Sequence, residues 1–171
     1  MPVVDLPVRG STDELLLHIL QDFFAGQGIH IGTLFTDELK PPMIIARAER
    51  RSGTIADVVG DDRYLHPAII SISTITSGVD ADEVAEELQE ACRLALREAQ
   101  QKQTVYPNGG SIARITNASL PVRVSDYATS TGIVQYASLP TGHVRYESIW
   151  RLILRPPPQS TITNRFLTPS P

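Results

Sequence analysis

The strongest pattern of apolar and polar positions lies in residues 66–103. HPAIISISTITSG is a β-branched run closed by Ser77-Gly78, and VDADEVAEELQEACRLALREAQQKQ follows with apolar positions three and four residues apart. A strand over residues 68–76 therefore feeds directly into a long helix. Asp80 is placed as its N-cap, Glu83 as the reciprocal acid of a capping box, and Val79 with Val84 as a hydrophobic staple. Acids come first (Asp80, Asp82, Glu83) and bases late (Arg93, Arg97, Lys102), an order that compensates the helix macrodipole. The spacing predicts a buried stripe of Val84, Leu88, Ala91, Cys92, Ala95 and Ala99, small enough for the helix to lie close on a sheet.

The remaining elements are read the same way. Ser11 or Thr12 caps a first helix whose stripe is Leu15, Leu16, Ile19, Leu20, Phe23 and Phe24, and which Gly26 or Gly28 ends. Residues 29–36 alternate as a short strand, and after Pro41-Pro42 residues 43–51 form a strand that starts apolar and emerges charged. Residues 52–64 make a long polar excursion of the kind that often binds something. Tyr106-Pro107-Asn108-Gly109-Gly110 is a turn, residues 112–126 are a strand bent or broken near Pro121, and residues 133–137 are a short strand candidate.

Residues 143–155 alternate most clearly. Val144, Tyr146, Trp150, Leu152 and Leu154 point one way, and His143, Arg145, Glu147, Arg151 and Arg155 the other, with Ile149 and Ile153 among them. Core on one face and charge on the other predict an antiparallel, single-sided sheet covered by two helices, an α+β fold. Residues 1–155 make one domain, and residues 156–171 form a proline-rich extension that cannot fold alone.

Composition narrows the chemistry. The chain has 171 residues and a formal charge of -4, which gives no general attraction to nucleic acid or anionic membrane. Cys92 is the one cysteine, so neither an intrachain disulfide nor a cysteine-based zinc site is possible. No run has the roughly 18 apolar residues of a membrane span, and the first ten residues lack a signal-peptide core, so the expected site of synthesis is the cytosol. His18, His30, His66 and His143 are scattered without metal-ligand spacing, and no phosphate-binding glycine loop is present. Asp57, Asp61 and Asp62 have hard-cation chemistry and Arg50-Arg51 could engage nucleic-acid phosphate or an acidic partner, but a solvated acidic loop tip and two solvated arginines at a strand end are the readings favoured. We expect no catalysis, cofactor or metal.

The opening helix of residues 13–24, the IISISTIT strand, the Gly78-Val79-Asp80-Ala81-Asp82-Glu83 junction, the alanine-rich helix to Gln103 and the closing strand ending Trp150-Arg-Leu-Ile-Leu-Arg together resemble the tail terminator proteins of long-tailed bacteriophages. More broadly, the order is similar to that of head-to-tail joining proteins. The resemblance rests on element order and composition across most of the chain. It implies a non-enzymatic virion protein that forms a six-membered ring on the head-proximal end of the tail tube, stops tube growth and meets the neck or head-completion proteins. DNA would pass its lumen without specific binding, and the protein would sit in the host cytoplasm until it joins the virion. The proline-rich extension departs from that family's pattern.

Within such a ring, Arg145, Glu147, Arg151 and Arg155 are the candidate partners of Glu86, Glu87 and Glu90 on the next subunit. The excursion carrying Arg50, Arg51, Asp57, Asp61, Asp62 and Arg63 is the candidate contact to tube or neck. The competing expectations are another neck, head-completion or minor capsid protein, and a small α+β enzyme or ligand-binding domain with a polar pocket between the long helix and the sheet.

Overall fold

A computed structural model of the chain describes residues 11–34, 39–49, 65–124 and 139–157. Among them are α1 (Thr12–Phe23), β1 (His30–Gly32), β2 (Met43–Ala48), β3 (His66–Ser77), α2 (Ala81–Lys102), β4 (Ser111–Ala118), β5 (Val122–Arg123) and β6 (His143–Arg155). The strands form one sheet in the order β1-β2-β3-β6-β4, with β5 also on β6. β1 and β2 are parallel and the other pairings antiparallel. The expected α+β class is what is found: a mostly antiparallel sheet packed against two helices. The excursion of residues 52–64, the strand candidate at residues 133–137 and residues 158–171 lie outside the described residues.

The β3–β6 ladder is the axis, in register from His66 opposite Leu154 to Ser77 opposite His143. Ala68, Ile70 and Ile72 of β3 join Trp150, Leu152 and Leu154 of β6 on the helix-facing side. α1 closes this core over β2 with Leu15, Leu16, Ile19 and Leu20, and α2 closes it over β3, β6 and β4 with Leu88, Cys92 and Leu96. Each such Leu or Ile contributes roughly 1.5–3 kcal/mol when fully buried. Burial also pushes the Cys92 thiol above its ordinary value, in keeping with a core filler.

α1 starts as its sequence predicts: the Ser11 hydroxyl accepts a hydrogen bond from the Glu14 amide at 3.3 Å. Beyond the end of β1, the Asp13 carboxylate accepts from the Ala48 amide at 2.7 Å and so covers part of the sheet edge. The turn at residues 106–110 lies under α1, with the Tyr106 ring stacked on His18 and Gly109 against Leu15. The break between β4 and β5 falls at residues 119–121, where Pro121 has no amide to donate. There the Ser119 hydroxyl accepts from the Ile149 amide at 2.8 Å, and the Ser119 amide donates to the Ile149 carbonyl at 2.8 Å.

α2 departs from its sequence reading in three ways. Asp80 has φ -99° and ψ 22°, outside the extended geometry of a side-chain cap, and its carboxylate makes no capping hydrogen bond. Val79 and Val84 are exposed, so there is no staple. The buried stripe is rotated to Ala81, Ala85, Leu88, Gln89, Cys92, Ala95, Leu96 and Ala99, with Val84 outside it. The cause lies on β3: Thr76 donates its hydroxyl to the Ala81 carbonyl at 2.5 Å, and Thr74 to the Ala85 carbonyl at 3.1 Å. Those bonds draw the helix backbone onto the sheet where alanine alone leaves room.

Gln89, 2% exposed, completes the lock. Its Nε2 donates to the Ile72 and Tyr146 carbonyls at 3.1 Å each, and its Oε1 accepts from Ser148 Oγ at 2.7 Å. Ser148 Oγ in turn accepts from Trp150 Nε1 at 2.9 Å. Gln89→Leu keeps the volume and strands these polar groups, so it should lower stability by about 1–3 kcal/mol in urea unfolding. At the turn, a Cβ on Gly110 (φ 81°) falls 2.0 Å from the Arg155 carbonyl oxygen, and one on Gly109 falls 2.7 Å from Leu15 Cα. Either alanine substitution should cost roughly 2–3 kcal/mol in the same assay. Gly26→Ala, whose Cβ meets open space at φ 78°, should cost only about 1–2 kcal/mol.

Candidate functional site

The sheet face turned away from the helices has two unlike halves. Around the start of β6, Met43, Ile45 and Ile75 form a second apolar cluster, and Arg145 and Glu147 are 1% and 3% exposed. The expectation of a single-sided sheet is thus corrected. Arg145 Nη2 lies 3.5 Å from Glu147 Oε1 and donates to Ser73 Oγ at 3.2 Å, while Ser71 Oγ donates to Glu147 Oε1 at 2.9 Å. Burial lowers the Arg145 guanidinium from its ordinary value, and the nearby Glu147 charge opposes that. Alternation along the strand sets the direction of these side chains correctly, but it does not show that the direction leads into a second buried layer. Arg145 and Glu147 are therefore internal to the subunit and unsuited to a contact with another one.

The other half is open. Pairing places Ile69 of β3 beside Arg151 of β6, Pro67 beside Ile153, and Ile153 beside Arg114 of β4. Ile69, Ile149 and Ile153 are half-buried, and Arg114, Arg151 and Arg155 are exposed. Arg47 of β2 lies on the same face, beside Ser71. Arg155 donates to Gln103 Oε1 at the end of α2, and Glu49 just beyond β2 is engaged in an interaction of its own. Arg47, Arg114 and Arg151 have no carboxylate within ion-pair distance among the described residues. The result is a patch of isoleucines with Arg151 among them and Arg47 and Arg114 on the flanking strands, none of these guanidinium groups neutralised by a described carboxylate.

The N-terminal half of α2 presents the opposite sign. Glu83, Glu86, Glu87 and Glu90 of α2 are exposed. Glu90 is held by Arg93 through Nε to Oε2 at 2.7 Å and Nη2 to Oε1 at 2.5 Å, and this hydrogen bond lowers the Glu90 carboxyl from its ordinary value. Asp82 pairs with Arg123 of β5 at 3.3 Å. Glu83, Glu86 and Glu87 have no cation within ion-pair distance among the described residues. Leu94, further along the same side, is 46% exposed.

Of the residues marked from sequence, Glu86, Glu87 and Glu90 thus lie on one layer and Arg151 and Arg155 on the other, so they do not meet within a chain. Arg145 and Glu147 meet each other in the interior. Arg50, Arg51, Asp57, Asp61, Asp62 and Arg63 lie outside the described residues. Sequence reasoning passed over Arg47, Arg114 and Ile69, which only strand pairing gathers onto one surface.

Clefts lie elsewhere among the described residues. One, of about 360 Å³, borders β1 and is lined by His30, Ile31, Leu34, Lys40, Met43 and Ile45. Another, of about 240 Å³, runs between α1 and α2. In it the Tyr106 phenol is pushed up to about 12, by burial first and then by its hydrogen bond to Asp22 at 3.1 Å. The polar groups between α2 and the sheet bond to one another, so that interface is filled by its own side chains. Among the described residues, no three His, Cys, Asp or Glu side chains converge where a metal ion could sit. No family model matches the chain, and no curated protein matches it in sequence.

The two kinds of charge on the sheet's outer face should respond differently to mutation. Glu147→Ala removes the carboxylate beside a buried guanidinium and should cost on the order of 3 kcal/mol. Arg151→Ala should stay within about 0.5 kcal/mol of the native chain. Urea unfolding midpoints measure both, and equal costs would contradict the division into buried and open halves.

Proposed function

We propose that this chain is a structural virion protein that closes the head-proximal end of a phage tail tube, ends tube polymerisation and forms the joint with the neck. The observation that carries this reading is the pair of unneutralised surfaces on opposite layers of one subunit, glutamates on α2 and arginines around isoleucines on the open sheet. A subunit with unlike faces on its two sides associates head to tail, and such contacts close into a ring when the rotation between copies allows. The element order described above supplies the resemblance to tail terminators, and a ring is the form in which those proteins work.

Within this reading the partners are other copies of the chain, the tail tube protein and a neck or head-completion protein, at the tail–neck junction of the virion. DNA crosses the lumen without specific binding. A ligand pocket between α2 and the sheet, as a small enzyme or binding domain would need, is disfavoured by the hydrogen bonds that Gln89, Ser148 and Trp150 already make there.

The test is tube growth. Purified chain added to polymerising tail tube protein of the same virus should shorten the tubes and decorate one end with a ring visible in electron micrographs. Tubes of unchanged length with bare ends would refute the terminator role. Binding to a neck protein but not to tubes would transfer the chain to the head side of the joint.

A further inference from the structure

We infer that the open half of the sheet's outer face, where Arg151 stands among Ile69, Ile149 and Ile153 with Arg47 and Arg114 on the flanking strands, receives the acidic face of α2 from a second copy of this chain. The inference deepens the ring reading and rests on it. It replaces the pairing expected from sequence, since Arg145 and Glu147 are consumed inside the subunit.

Charge complementarity selects the occupant. The arginines are exposed or half-buried and lack carboxylate partners among the described residues, and guanidinium groups bind carboxylates through paired, directional hydrogen bonds. Among the described residues Glu83, Glu86 and Glu87 have no cation partner, Glu86 being hydrogen-bonded only by the Tyr146 phenol, and Leu94 supplies exposed apolar surface for the isoleucine strip. A helix laid on that strip repeats, between copies, the helix-on-sheet packing that α2 makes on the inner face of its own sheet.

The faces belong to opposite layers, so the contact is heterologous. Each copy gives its helix to one neighbour and its sheet to the other, and a two-fold dimer cannot satisfy both. This allows a test by exchange of sign. Variant one carries Arg114→Glu and Arg151→Glu, which makes both of its faces acidic. Variant two carries Glu86→Arg and Glu87→Arg, which makes both basic. All four positions are exposed, so each variant should keep the native circular dichroism spectrum and unfolding midpoint.

Native mass and light scattering, with or without tube protein as the native chain requires, should show self-association of either variant weakened on the order of a hundredfold. An equimolar mixture should recover rings of alternating composition, because each acidic sheet then meets a basic helix and each basic sheet an acidic one. Rings that persist in both variants would overturn this contact and leave the ring reading standing. Failure of the mixture to reassemble from folded subunits would also overturn it. A native chain that never forms rings, alone or on tubes, would overturn both. If variant one assembles normally but loses binding to duplex DNA, the arginines serve phosphate, and the contact is wrong.

Discussion

Pairing of β3 with β6 is the constraint on which the rest of the subunit depends. β2 is aligned by β3, β4 and β5 are aligned by β6, and α2 docks across both central strands. A slip of one residue in that ladder would turn every side chain to the wrong face. Both faces resist such a slip. On one, Gln89 bonds a carbonyl from each central strand; on the other, Ser71 and Ser73 of β3 meet Glu147 and Arg145 of β6.

Those polar groups explain why a core built mainly of Ile, Leu and Ala has a single register. Apolar side chains tolerate substitution and sliding if volume is kept, whereas a buried amide or guanidinium is satisfied in one arrangement only. The threonine hydroxyls that reach the Ala81 and Ala85 carbonyls extend the same logic to helix rotation. They leave the glutamates of α2 turned outward together. The acidic face is thus a consequence of how the helix is locked, as the arginine face is a consequence of which strands are adjacent.

Much of the architecture was legible because it repeats with a simple period. The two-residue alternation of β6 and the Ser11 cap of α1 read directly from the residues. What escaped was what a period does not encode. Gln89 looks like any polar residue on a helix until the carbonyls of two strands are placed beneath it. Arg145 and Glu147 have the same parity as Arg151 and Arg155, and only tertiary packing separates the buried pair from the open ones. Asp80 has the right chemistry for a cap, but the backbone enters α2 at an angle that keeps its carboxylate away from the first amides. Arg47 and Arg114 come from distant segments, and strand order alone makes them neighbours of one surface.

The proposed ring contact pairs the two charged layers of this subunit as complementary halves. Its most direct test is the native mass of the full chain across a wide concentration range, followed by imaging of whatever assembles, with tail tubes supplied if the free chain is monomeric. The expected assembly is a closed ring with an open centre that loosens as salt is raised, since exposed charges are screened. A compact two-fold dimer, or a monomer that stays monomeric on tubes, would contradict it.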